Sequence, residues 1–130
     1  MTLEEANSLL PDVRAILQRL REFQTVVEEL DKKKAVEEIT WLRSDGTISP
    51  QADQAIALLD KSMNNAIQNF EKTLEELNDL GAQLKDLDQG LVDFFTMRDD
   101  SIVYLCWREG EDSIEYWHDL ESGVSGRKPL

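Results

Sequence analysis

The sequence predicts an α+β chain, a long antiparallel helical hairpin followed by a small antiparallel β-meander. Apolar residues recur at helical spacing from Val13 to Leu77, and the period shortens to two after Gly81. Between the two halves of the helical stretch, Ser44-Asp45-Gly46 reads as a turn. With 130 residues, 41% of them hydrophobic, the chain can bury about two-thirds of the surface it exposes unfolded. That is enough for one soluble domain: a short N-terminal helix over 1–10, the hairpin over 11–81, and the sheet with its tail over 82–130.

Thr2 followed three residues later by Glu5 is a capping-box pattern, so a short helix starts there. Pro11 suits a first helical turn and not an interior, which puts a break near Leu10 and a new helix from Pro11. Val13, Ile16, Leu20, Phe23, Val27 and Leu30 then follow heptad spacing. Asp31-Lys32-Lys33-Lys34 interrupts that seam, and Ala35, Ile39 and Leu42 resume it with a shift of phase, ending near Arg43. Ser49-Pro50 offers a capping hydroxyl and a proline at the first helical position. The second seam runs through Ile56, Leu59, Met63, Ile67, Phe70, Leu74 and Leu77 to a stop at Gly81. At about 1.5 Å per residue each helix spans roughly 45 Å, and a short connection makes the pair antiparallel.

One seam per helix cannot be covered by a small sheet alone. The expectation is a homo-oligomer, a dimer with hairpins paired as a four-helix bundle, or docking on a helical partner protein.

After Gly81, Leu91 to Met97, Ile102 to Arg108 and Ser113 to His118 read as strands, with a further short strand near Gln83 to Asp86. Turns fall at Arg98-Asp99-Asp100 and Glu109-Gly110-Glu111-Asp112, and connections this short require antiparallel neighbours. With a two- or four-residue loop in the last hairpin, Val103, Leu105, Trp107, Ile114, Tyr116 and His118 share one face. Tyr104, Cys106, Arg108, Glu115, Trp117 and Asp119 share the other.

The formal net charge is −13. An acidic surplus of that size argues against binding nucleic acid or an anionic membrane, because both attract Lys and Arg. No apolar run approaches the roughly 20 residues of a membrane-spanning helix. The chain opens without a basic cluster and apolar stretch, so no secretory signal is expected, and Cys106, the only cysteine, can form no internal disulfide. These features together point to the cytoplasm.

The string Tyr104-Leu105-Cys106-Trp107-Arg108 with Gly110-Glu111, then Trp117-His118 and Gly126-Arg127, resembles the C-terminal signature of a prokaryotic family, domain of unknown function 2203. Thr2-Leu3-Glu4-Glu5-Ala6-Asn7, Leu9-Leu10-Pro11 and Lys85-Asp86-Leu87-Asp88 with Gly90-Leu91-Val92-Asp93-Phe94 look like its other fixed points. The resemblance spans nearly the whole chain. It implies no activity, cofactor or catalytic residue, so the candidates rest on their chemistry.

Arg108 and Arg127 stand out in a chain short of basic groups, and Gly123 and Gly126 precede the second. An arginine with glycine amides beside it can clamp a carboxylate or phosphate. The bland alternative pairs each with a local acid. With Glu111, Trp117 and His118 they form the candidate ligand site on the sheet and tail. His118 and Cys106 are the candidates for metal, each the only residue of its type, so carboxylates or a second subunit would have to complete a site. On opposite faces they form no thiolate-imidazole pair. Asp86, Asp88 and Gly90 resemble the opening of a calcium loop, but Gly90 stands where an oxygen ligand is needed and Met97 where a Glu is needed. No catalytic motif appears and no catalytic residue is assigned.

Overall fold

The Thr2 hydroxyl accepts the Glu5 amide at 3.1 Å and starts the first helix of the computed structural model, which describes residues 1–43 and 45–130. Helix α1 is Leu3–Ser8, and Leu9 separates it from α2, Leu10–Thr40. The second helix thus begins one residue before Pro11 and ends three before Arg43, where the chain leaves helical geometry and Leu42 bridges Ile48. In the connection Gly46 is left-handed (φ 83°) and Asp45 holds the Thr47 amide at 3.0 Å; Ser44 lies outside the described residues. The Ser49 hydroxyl accepts the Ala52 amide at 3.2 Å and Pro50 opens α3, Pro50–Asp79. Gly81, at φ 88°, takes the left-handed conformation that stops it.

The chain forms two compact units, residues 19–72 and residues 1–18 with 73–130. In the first, the middle of α2 runs antiparallel to the middle of α3, joined across the pair by Lys34 Nζ to Asp60 Oδ1 at 2.9 Å. The α3 seam differs from the expected one at Ile67, which is 39% exposed, while Ile56, Leu59, Met63, Phe70 and Leu74 are half-buried and Leu77 is fully buried. Fully buried positions also step by sevens through Ala52, Ala66 and Thr73, with half-buried Leu59 between them. At Ala66 the small side chain is buried while the larger Ile67 beside it is exposed.

The second unit holds α1, the first turns of α2, the end of α3 and a five-stranded antiparallel sheet. Its strands are β1 Ala82–Asp86, β2 Leu91–Arg98, β3 Ser101–Arg108, β4 Tyr116–His118 and β5 Lys128–Pro129, paired in chain order as a meander. Asp99 and Asp100, both at positive φ, make the two-residue β2–β3 turn, a conformation aspartate tolerates better than most residues. The fifth strand is an addition to the expected sheet: after a 3₁₀ turn at Val124–Gly126 the tail returns along β4, with the Leu130 amide on the Glu115 carbonyl at 2.9 Å.

One sheet face is apolar and buried: Ala82, Val92, Phe94, Val103, Leu105 and Trp107. Arg14 of α2 lies over the Trp107 ring at 5.4 Å, and the Trp107 indole donates to the Glu111 carbonyl at 2.9 Å. Asn7 of α1 accepts the Ile114 amide at 2.8 Å, tying the β3–β4 connection to the N-terminal helix.

The faces of β4 are the reverse of those expected. Seven residues, 109–115, separate β3 from β4, and the register sets Tyr104 against His118, Leu105 against Trp117 and Cys106 against Tyr116. A two- or four-residue loop implies a register one residue away, and a one-residue slip moves every side chain to the other face. Tyr116 and His118 therefore stand with Tyr104 and Cys106, while Trp117 stands with Leu105. The strand also begins at Tyr116 and not at Ser113, because Ile114 is drawn to Asn7.

Candidate functional site

β2, a mostly apolar strand, carries one acid among Leu91, Val92, Phe94 and Phe95. Asp93 points away from the apolar face, opposite Cys106 of β3. His118 of β4 lies on the same side, and its side chain meets Asp93 across the intervening β3. All three residues are buried, at 2%, 1% and 3% exposure for Asp93, Cys106 and His118. One potential ligand atom from each lies within 4.8 Å of the others. The slipped register creates this cluster: the thiol and imidazole expected on opposite faces are neighbours.

The hydrogen bonds place one proton of the imidazole. Nδ1 lies 2.8 Å from the Asp119 carbonyl, which can only accept, so Nδ1 carries a proton. Nε2 lies 3.0 Å from Asp93 Oδ2. Either a carboxylic acid donates to Nε2 or an imidazolium donates to a carboxylate. In both cases one proton sits between the two side chains, and the pair is neutral as a unit. Burial raises the Asp93 carboxyl above its ordinary range, against the opposing charge of His118. Burial, reinforced by the Asp93 charge, pushes the Cys106 thiol up to about 11. At neutral pH the thiol is protonated and a poor nucleophile.

The carbonyl that orients His118 is itself held. Asp119 Oδ1 accepts the Glu121 amide at 3.1 Å and the Ser122 amide at 2.7 Å, and these bonds depress its carboxyl below the ordinary range. On the sheet surface, Tyr104 stacks between Phe95 at 4.7 Å and His118 at 5.1 Å. Lys85 lies 4.6 Å over the Tyr104 ring.

The sequence-derived candidates divide into three groups. Glu111 Oε1 accepts both Arg127 Nη2 and the Arg108 amide, each at 2.6 Å, and Arg127 also donates to the Cys106 carbonyl at 3.3 Å. Its guanidinium lies 4.1 Å over the Tyr116 ring. Arg127 is thus paired with a local acid, the bland alternative for this residue. His118 belongs to the buried cluster. Trp117 stands on the other face, between Arg98 at 4.7 Å and Lys128 at 4.9 Å. Asp93 was not among the candidates, although a lone acid inside an apolar strand is a visible anomaly. At the calcium-like segment, Asp86 accepts the Gln89 amide at 3.2 Å and caps a turn.

The fold and this cluster define an α+β protein with a helical hairpin and a meander sheet that buries an Asp-Cys-His group on one face. The chain belongs to the family described as uncharacterized conserved protein (DUF2203), which matches residues 1–130. No curated protein and no solved structure matches it.

Proposed function

We propose that this is an assembly protein that associates with a second copy of itself through residues 19–72. The observation that carries the reading is apolar exposure on the hairpin: Ile39 is 78% exposed, Leu58 67% and Val36 61%, with Trp41 and Leu42 also exposed. Isolated apolar residues on a surface are ordinary, but Val36 and Leu58 line one groove together with Ala55 and Leu59. Lys32, Lys33 and Glu37 rim it, so both signs of charge are available to a self-complementary contact.

Charge favours this unit over the sheet as the place where two copies meet. Residues 19–72 contain eight basic and ten acidic side chains, net −2, and the remainder contains six and seventeen, net −11. Two copies meeting through their sheets would bring like charges together. Meeting through the hairpins, they would bring together far less net charge.

Size-exclusion chromatography with light scattering tests the proposal. Twice the chain mass of 14.9 kDa is expected across micromolar concentrations, with a return to 14.9 kDa in a Val36→Asp, Leu58→Asp variant that keeps its helical circular dichroism. A wild-type chain that stays at 14.9 kDa would refute it.

Among the described residues no helix is long and apolar enough to cross a membrane.

A further inference from the structure

We propose that Asp93, Cys106 and His118 form a binding site for a divalent transition metal of the zinc class. The three side chains come from three adjacent strands, and their donor atoms already lie within 4.8 Å of one another. Ligands around a zinc ion sit about 2.0–2.3 Å from it, so donor atoms this close together need to draw in only a little to surround a cation.

Three features favour a metal over a purely structural hydrogen-bonded group. The first is the imidazole: Nδ1 is committed to a backbone carbonyl and Nε2 faces the other donors, which is how protein shells orient a ligating histidine. That carbonyl lies in a turn fixed by the Asp119 side chain, so the orientation is built in. The second is charge. A thiolate, a carboxylate and a neutral imidazole around a dication sum to zero, which suits a buried position. The third is donor type. One sulfur, one nitrogen and one carboxylate oxygen select a borderline-soft ion such as zinc or cobalt and reject calcium and magnesium, which take oxygen. Three protein ligands leave a fourth position for water or a small ligand.

Cobalt reports on the site directly. The full chain, treated with a chelator and titrated with Co²⁺ alone, is expected to bind one ion and to develop thiolate-to-cobalt charge-transfer absorption with the strong visible bands of a tetrahedral ion. Because Cys106 is the only cysteine, that band assigns the ligand without a variant. Zinc should displace the colour. Asp93→Asn, which keeps the size of the side chain, should weaken binding by about tenfold or more. The pale spectrum of hydrated cobalt in wild-type protein would overturn the site, and so would a charge-transfer band whose affinity is unchanged in Asp93→Asn. Should that variant lose its near-ultraviolet dichroism, and with it the fold, the wild-type spectrum decides.

Discussion

Val13, Ile16 and Leu17 lie on the same helix as Val36 and Ile39 and obey the same spacing, yet the first group is buried and the second exposed. The two units differ as much in charge, net −11 against net −2. Helical periodicity therefore reports that a face is apolar and does not report what covers it. In the sheet unit the covering elements are part of the chain, and surplus charge is carried on the outside. In the hairpin unit an apolar surface remains open where charge is lowest, which is the pattern expected of a surface that meets another copy.

The contrast can be broken first at the level of packing. Phe94→Ala, in the buried sheet face, should cost about 3–5 kcal/mol of stability. Ile39→Ala should change the stability of the dilute chain by less than about 0.5 kcal/mol. Urea denaturation of the two variants side by side reads the difference, and similar losses would erase the distinction between the units.

Next comes the buried pair. Asp93→Ala leaves His118 without the partner that shares its proton and should cost about 3 kcal/mol. The double variant with His118→Ala should cost less than the sum of the single changes, by about 1–3 kcal/mol. Additive losses would mean that the two side chains do not act as a unit.

A smaller effect depends on pH. Cys106 has a folded value of about 11 against an ordinary value of 9.0. For a group raised in this way, the stability linked to the neutral thiol is complete below pH 9 and is lost as pH rises through 11, in total about 2–3 kcal/mol. Cys106→Ala should flatten the alkaline limb of the stability profile; an unchanged limb would contradict the burial of the thiol.

Arg127→Ala should cost about 2 kcal/mol, because Glu111 and the Cys106 carbonyl both lose a charged donor in a partly covered setting. Thermal unfolding with no change would return Arg127 to the ligand-binding role suggested by its sequence. At the bottom of the scale, Lys34→Ala should leave the melting curve where it is, since its pair with Asp60 is solvated.

Most of the architecture was legible because it rests on local chemistry. The Thr2 cap, the Ser49-Pro50 start, the Gly81 stop and the aspartate turn at 99–100 each satisfy a requirement visible in neighbouring residues. The register of β4 was not legible. The seven-residue connection before it is tied to α1 through Asn7 and the Ile114 amide, a bond between residues 107 positions apart, and with this register His118 shares a face with Cys106. The fifth strand leaves no sequence signal for a similar reason: Lys128–Pro129 is too short to have a period, and its pairing follows from where the tail is led. Of the residues around Arg108 and Arg127, Glu111 joins the Arg108 backbone amide to the Arg127 guanidinium. The cluster with the richest chemistry required a residue from β2 that spacing alone could not connect to β4.

Hydrogen exchange read by mass spectrometry at low and high protein concentration tests the division between the units most directly. If copies meet through the hairpin, raising the concentration should slow exchange in peptides from residues 19–72, around Val36 and Leu58, and leave the strands around Asp93, Cys106 and His118 unchanged. Slowing confined to the sheet, or none anywhere, would contradict the account.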